Sequence, residues 1–214
     1  MDRTPPLASF DDFYRNRNPP WVIGEPQPAI VALERDRLIG GRVLDVGCGA
    51  GEHTILLTRL GYDVLGVDGA PTAIEHARRN AAAHGVNARF AVADALDFGA
   101  EPAFDTVVDS ALFHVFDDAD RANYVRSLGR VTRPGALVHV LALSDAGRGF
   151  GPQVSALDLR GAFGSGWSVQ ELRETTYRGV VTDTHAEALG LEVGSRVDEP
   201  AWLLRAQRAD QPSA

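Results

Sequence analysis

This chain has a single cysteine, no long apolar run and no excess of basic charge. Its 214 residues include one cysteine, so no disulfide can form within it and a reducing compartment is expected. No uninterrupted run of about 18 apolar residues and no basic-then-apolar leader occurs, so we expect neither a membrane helix nor a signal peptide. We therefore expect a cytoplasmic protein without a membrane partner.

The charge balance argues against nucleic acid as a partner. The net charge is −8 and the sequence pI is about 5.2, whereas nucleic-acid-binding proteins need a basic surface to offset phosphate repulsion. No histidines fall at a paired metal-ligand spacing, so no metal is expected. These properties favour an enzyme that acts on a small molecule, either as a monomer or as a homodimer.

The distribution of apolar segments predicts one domain, residues 1–214. Strands and helices alternate up to about Leu143, which predicts an α/β fold with a parallel sheet and helices on both faces. We divide the chain into an N-terminal lid segment (1–38), a cofactor-binding core (40–143), and an acceptor-side insertion with closing strands (144–208). The closing strands are expected at residues 167–178 and 201–208, and Pro134-Gly135 is expected to form a turn between a helix and a strand.

A glycine-rich loop is the most informative feature of the core. The apolar run Val43–Val46 is followed by Gly47, Gly49 and Gly51, and a second apolar run ends at Asp68. This layout is typical of a nucleotide site at the carboxyl edge of a parallel sheet, where glycines let the backbone approach the ligand. Asp68 can accept hydrogen bonds from both hydroxyls of a ribose.

The third glycine of a dinucleotide fingerprint is missing. That fingerprint requires glycine at position 52, but Glu52 stands there, and its carboxylate would repel a pyrophosphate. Asp45 is also unusual, because buried parallel strands are normally apolar. Both acids fit a ligand with positive charge, and S-adenosylmethionine carries an ammonium and a sulfonium but no phosphate.

Four ordered motifs resemble those of the class I S-adenosylmethionine-dependent methyltransferases. They are Val43–Gly51, Val64–Asp68, Phe90–Ala95 and Phe104–Ser110. The resemblance covers roughly residues 40–143. It implies a Rossmann-like, doubly wound seven-stranded sheet of order 3-2-1-4-5-7-6 with the last strand antiparallel, S-adenosyl-L-methionine as cofactor, and S-adenosyl-L-homocysteine as product.

The proline-rich segment Pro19–Pro28 narrows the class of acceptor. It resembles the N-terminal segment of thiopurine and halide/thiol methyltransferases. Together with Phe104–His114, it is most similar to mycobacterial methyltransferases of small aromatic heterocycles, including hydroxyquinolones and related quinones. The resemblance implies methyl transfer to oxygen, or alternatively to sulfur or nitrogen, of a small aromatic molecule. Residues 147–152 and 177–200 match this pattern weakly.

The predicted cofactor site combines the motif residues with the lid. Asp45 and Glu52 are expected to place the amino-acid portion, the three glycines to permit close approach, and Asp68 to hold the ribose. The resemblance implies adenine binding by Asp94 and Ala95. The full predicted set is Trp21, Asp45, Gly47, Gly49, Gly51, Glu52, Asp68, Gly69, Asp94, Ala95 and Asp109, with residues 14–27 as a lid.

The predicted acceptor site follows from the chemistry of in-line displacement, which needs mainly alignment and exclusion of water. Aromatic faces favour a sulfonium, which singles out Trp21 and Phe113. His114 is a candidate general base, or else it only orients its loop. Asp109 borders the acceptor or caps its strand. The acceptor set is Tyr14, Trp21, Gln27, Ser110, Phe113 and His114.

Two alternatives from other functional classes stay open at this point. A nicotinamide-dependent oxidoreductase would use the same kind of sheet, although Glu52 and Asp45 argue against it. A protein that binds the cofactor without catalysis, acting as a regulator, would carry the same motifs.

Overall fold

The computed structural model describes residues 3–16, 19–99, 101 and 103–210. Its strands form one seven-stranded sheet of order β3-β2-β1-β4-β5-β7-β6. Strand β7 is antiparallel to both of its neighbours, and the other neighbouring pairs are parallel. The strands are β1 Arg42–Val46, β2 Asp63–Asp68, β3 Arg89–Val92, β4 Phe104–Ser110, β5 Thr132–Leu143, β6 Trp167–Val180 and β7 Arg196–Arg208. The predicted fold class is therefore confirmed, including the strand order.

Seven α-helices and one short 3₁₀ turn surround the sheet in the described part of the chain. The helices are α1 Leu7–Asn16, α2 Pro28–Arg35, α3 Glu52–Arg59, α4 Pro71–Ala83, α5 Asp118–Val131, α6 Ala156–Ala162 and α7 Asp183–Leu189, and the 3₁₀ turn spans Phe113–Val115. Within the described ranges, no helix is both long enough and apolar enough to cross a bilayer.

Helices cover both faces of the sheet, each through its own apolar cluster. On one face, Leu33 of α2 and Leu57 of α3 pack with Leu141 of β5. On the other face, Leu128 of α5 and Leu159 of α6 belong to a second cluster. Because parallel strands are buried on both faces, their residues are almost continuously apolar.

The closing hairpin is longer than the local pattern predicts. Residues 167–178 and 201–208 were expected to be strands, but the pairing of β6 with β7 extends to Val180 opposite Arg196. The added residues, 179–180 and 196–200, include a glycine, a proline and three charged residues, so no regular apolar alternation marks them in the sequence. Their hydrogen bonds come from the partner strand, which is a tertiary contact.

The Pro134-Gly135 pair was expected to form a turn between a helix and a strand. It lies inside β5 instead, where the register of the β4–β5 pairing shifts between Phe104 and Thr106. Gly135 has a φ of 77° there. The pair therefore makes an irregularity within a continuous strand.

Candidate functional site

The loop between β1 and α3 holds three glycines in the left-handed region. Gly47, Gly49 and Gly51 have φ values of 69°, 54° and 87°, which glycine adopts without steric cost. A Cβ added at Gly51 would lie 2.9 Å from the Phe90 ring, and one at Gly49 would lie 2.7 Å from the Tyr14 hydroxyl. The loop needs glycine both for its conformation and for its close neighbours.

Asp68 joins this loop to the end of β2. Its Oδ2 accepts the Gly49 N–H at 3.0 Å, and its Oδ1 accepts the Ala70 N–H at 2.9 Å. Burial raises the pKa of Asp68, and these two backbone hydrogen bonds oppose the rise. The carboxylate is thus fixed at the carboxyl edge of the sheet, where the ribose role was predicted for it.

Glu52 begins α3 and lines the cleft beside the loop. Its Oε1 is buried and has no hydrogen-bond partner among the described residues. Burial raises the pKa of Glu52 to about 7, and the charge of Asp45 contributes to the rise. An unpartnered carboxylate oxygen in a cleft fits a cationic group such as an ammonium.

Asp45 lies beneath the loop rather than in the cleft. Its Oδ2 accepts both the Thr54 N–H at 3.0 Å and the Thr54 hydroxyl at 2.6 Å, and the residue is only 1% exposed. Burial raises its pKa. Asp45 therefore holds the first turn of α3, and a contact with the cofactor stays a prediction.

Helix α1 covers the loop and the end of β2. The Trp21 Nε1–H donates to the Tyr14 hydroxyl at 2.7 Å, and Asp11 accepts the Thr72 N–H at 2.8 Å. A Cβ added at Gly69 would lie 2.6 Å from Leu7. The cleft beside the loop has a volume of about 30 Å³ and is lined by Trp21, Val22 and other residues that follow α1, rather than by α1 itself.

The cleft gathers residues from four parts of the chain. Six of the predicted site residues line it, namely Trp21, Gln27, Gly47, Gly49, Glu52 and Ser110. The lining also includes Val22 and Glu25, which lie in the predicted lid, and Cys48, Ala50, His53 and Tyr177, which were not predicted. His53 adjoins Glu52 at the helix start and could have been found from that position. Tyr177 comes from β6, and nothing in the local sequence around it indicates a site.

The two predicted adenine-binding residues do not line this cleft. Asp94 is exposed, and its Oδ1 accepts the Leu96 N–H at 2.9 Å. Ala95 is half-buried. Their adenine role stays a prediction.

Asp109 caps the end of β4, which was the structural alternative for it. Its Oδ1 accepts the Leu112 N–H at 2.9 Å and the Phe113 N–H at 3.3 Å, and the Tyr124 hydroxyl donates to Oδ2 at 2.8 Å. Burial raises the pKa of Asp109 to about 7. The structure therefore gives Asp109 a role in shaping the turn, without contact with the cleft.

Phe113 requires a correction. It was expected to present an aromatic face to the sulfonium or the acceptor, but its side chain is fully buried. The ring packs against Tyr124 and stacks with Phe163. The 3₁₀ turn that follows β4 points the ring into the core, so Phe113 does not line the cleft.

His114 is buried beside the same turn, which disfavours its candidate role as a base. Its Nδ1 accepts the Leu143 backbone N–H at 3.0 Å. Burial lowers the pKa of His114 to about 3, and the charge of Arg121 contributes. The acceptor nitrogen is occupied and the ring stays neutral, so the geometry favours the orienting alternative.

The cleft suits a ligand with positive charge and no phosphate. Within the described residues its lining contains no lysine or arginine, and it presents the unpartnered Glu52 oxygen. These features match the ammonium and sulfonium of S-adenosylmethionine. The described residues contain no group of three His, Cys, Asp or Glu side chains placed to hold a metal.

Comparison with known proteins decides the family. A family model described as a methyltransferase domain matches residues 43–135. The 2-heptyl-1-hydroxyquinolin-4(1H)-one methyltransferase of Mycobacteroides abscessus is 38% identical in an alignment 178 residues long, and the alignment covers 76% of this chain and 78% of the relative. The chain belongs to the S-adenosylmethionine-dependent methyltransferases. This methyltransferase is therefore an enzyme with S-adenosylmethionine as its cofactor, which replaces both alternatives left open above.

Solved structures agree with this membership. One solved structure comes from a study of the conversion of a disulfide bond into a thioacetal group during echinomycin biosynthesis, and its sequence is 40% identical to this chain. The two structures superpose with a TM-score of 0.86, and the match covers 95% of this methyltransferase and 91% of that chain. Magnesium protoporphyrin IX methyltransferase from Synechocystis PCC 6803 with bound SAM is 20% identical, with a TM-score of 0.61. The match covers 85% of this methyltransferase and 76% of that chain. The second likeness shows the fold alone.

Proposed function

We propose that this methyltransferase transfers a methyl group to a heteroatom, first of all oxygen, of a small aromatic or heterocyclic molecule. We further propose that the acceptor enters already nucleophilic, without deprotonation by the enzyme. The relationship to the hydroxyquinolone methyltransferase supports the acceptor class. The net charge of −8 supports a small acceptor over nucleic acid.

The observation that carries this proposal is the state of the histidines around the cleft. The His53 Nε2 accepts the Gln27 N–H at 3.1 Å, and the His114 Nδ1 accepts the Leu143 N–H. Burial lowers the pKa of both rings. Neither histidine is suited to take a proton from an acceptor, because general bases work best with a pKa near the working pH. Glu52 has a pKa of about 7, but in this proposal its carboxylate binds the ammonium of the cofactor.

The cleft supplies alignment instead. When bound, S-adenosylmethionine supplies a methyl group on a sulfonium that is already activated for displacement. Trp21 lines the cleft, and an aromatic ring there favours a cation. The Ser110 Oγ is buried without a hydrogen-bond partner among the described residues, so it is available to orient the acceptor. Ala111, which follows it, has a φ of 74°, and such strain is typical of functional turns.

Sulfur is the second candidate for the accepting atom. The relative from echinomycin biosynthesis covers 95% of this chain, including residues 144–208, where acceptor contacts are expected. A disulfide sulfur carries no proton, so methylation of it would need no base. This agrees with the occupied histidines.

Product mass spectrometry with isotopically labelled S-adenosylmethionine tests the proposal. The acceptor panel contains hydroxyquinolones, quinols, thiols and a disulfide-bridged cyclic peptide. We expect labelled product from an aromatic hydroxyl compound, with kcat/KM rising with pH through the pKa of that acceptor. Product from RNA or protein alone would contradict the proposal, and a pH profile independent of the acceptor's pKa would contradict the base-free step.

A further inference from the structure

Tyr177 of β6 forms part of the cleft wall and has no role assigned so far. Its side chain is 4% exposed, and its ring packs in the cluster that contains Leu141 and Leu203. It lines the same cleft as Glu52. Burial raises the pKa of Tyr177, and the charge of Glu52 raises it further. The hydroxyl therefore stays protonated and can donate a hydrogen bond.

The Gln27 side chain fixes this part of β6 to the lid segment. Its Nε2 donates to the Arg178 carbonyl at 2.7 Å, and its Oε1 accepts the Arg178 N–H at 2.9 Å. The Gln27 backbone N–H donates to the His53 Nε2 on α3. One residue, itself only 2% exposed, thus connects β6 to the helix that carries Glu52.

The Gln27 amide also interacts with the phenol. Hydrogen bonding between the two side chains lowers the pKa of Tyr177, against the effect of burial. Gln27 and Tyr177 line the same cleft, so the amide that is fixed on Arg178 can position the phenol towards a ligand there.

The lining of the cleft therefore contains both a hydrogen-bond donor and an acceptor. Glu52 provides a carboxylate oxygen without a partner, and Tyr177 provides a hydroxyl donor. No lysine or arginine lines the cleft within the described ranges, so a ligand carboxylate must be bound by neutral donors. An amino-acid zwitterion, with one ammonium and one carboxylate, matches this pair.

We propose that the Tyr177 hydroxyl binds the α-carboxylate of the methionine portion of S-adenosylmethionine while Glu52 binds its ammonium. Gln27 is the positioning residue that aims the phenol, rather than the acceptor contact predicted from sequence. This inference deepens the cofactor site and rests on the cofactor, independently of the acceptor proposed above.

Binding calorimetry with the reaction product and a truncated analogue of it tests this proposal. S-adenosylhomocysteine contains the amino-acid portion, and 5′-methylthioadenosine lacks it. Tyr177→Phe is expected to weaken S-adenosylhomocysteine binding by about 10-fold or more, as for a hydrogen bond to a charged group. Binding of 5′-methylthioadenosine should change less than about twofold. Tyr62→Phe is the matched control, because its hydroxyl donates to Glu34 at the other end of the sheet, and neither ligand should respond.

Gln27→Glu is the second variant, and it keeps the test decisive if Tyr177→Phe does not fold. It retains an oxygen for the Arg178 N–H but loses the amide donor. We expect a loss of several-fold for S-adenosylhomocysteine only, with kcat at saturating cofactor less affected than the KM for the cofactor.

Three results would overturn the proposal. Equal weakening of both ligands would mean that Tyr177 acts through the fold. Unchanged S-adenosylhomocysteine binding with a higher KM for the acceptor would place Tyr177 in the acceptor site. Failure of the wild type to bind S-adenosylhomocysteine would overturn the cofactor assignment itself. If the acceptor class proposed above were wrong, these calorimetric results would not change.

Discussion

The cleft has two walls that are built in different ways. The cofactor wall consists of one continuous segment, from Gly47 to His53, shaped by left-handed glycines and close packing. The opposite wall brings together Gln27, Ser110 and Tyr177 from three distant segments. The first wall is a local structure, whereas the second exists only when the sheet has formed.

The interactions that hold the two walls also differ. Phe90 and Tyr14 leave no room for a side chain at Gly51 and Gly49. The second wall depends on hydrogen bonds such as the pair between Gln27 and Arg178. Surface ion pairs there, including Arg178 with Asp198 at 2.8 Å, contribute only about 0.2–1 kcal/mol each. The buried amide is therefore the main connection.

Replacing a glycine of the cofactor wall should have the largest effect on stability. In Gly51→Ala the left-handed φ costs about 1–2 kcal/mol, and overpacking against Phe90 costs about 1–3 kcal/mol more. We expect a loss of about 3 kcal/mol in the free energy of unfolding, measured in urea. The control is Gly190→Ala, where φ is 66° but no atom lies within 4 Å, and about 1 kcal/mol is expected. Equal losses of unfolding free energy in the two variants would show that close packing against Phe90 adds nothing to the cost of substituting Gly51.

Removing the charge of Glu52 should affect binding and stability in opposite directions. At pH 8, Glu52→Gln should weaken S-adenosylhomocysteine binding by about 10-fold, because the ammonium loses a charged partner. The affinity of the wild type should fall as the pH drops below about 7, because the pKa of Glu52 in the free protein is about 7. The affinities of the wild type and Glu52→Gln should become equal near pH 5.5.

The stability effect follows from the direction of the same pKa shift. Because folding raises the pKa of Glu52 from 4.5 to about 7, its contribution to stability is present below pH 4.5 and is lost as the pH rises through 7. Glu52→Gln should therefore stabilise the ligand-free protein at pH 8 by about 1–3 kcal/mol. Glu75→Gln is the control for both measurements, because Glu75 lies exposed on α4. If this control changed binding and stability as much as Glu52→Gln, the assignment of the ammonium to Glu52 would be contradicted.

The smallest effect is expected at His114, which is buried beside the turn after β4. In His114→Asn the amide oxygen can still accept the Leu143 N–H, so the turn should be kept. The kcat at saturating substrates should change less than about threefold, whereas loss of a general base costs 10²–10⁴-fold. The pH–rate profile should not change, because the histidine stays neutral above its pKa of about 3. A loss above 100-fold with an altered pH profile would restore the base role and contradict the base-free step.

Local sequence patterns predicted the fold more fully than the site. The alternation of apolar segments predicted an α/β fold, because each strand–helix unit is encoded by neighbouring residues. The strand order was implied by the resemblance of the four motifs to a known family, and the structure has that order. The length of β6 was underestimated, since its last residues pair with β7 and with the lid. Phe113 and His114 follow directly after a motif strand, but their burial depends on how the turn packs against α5 and β5.

The sequence by itself determined the glycine loop, the acids that suit a cationic ligand, and the family. These features lie within short segments whose backbone conformation and charge are set by the residues themselves. Only the tertiary structure placed Tyr177 and Gln27 opposite Glu52 and buried His114. Those positions depend on contacts between residues up to 151 apart in the chain, which no local pattern encodes.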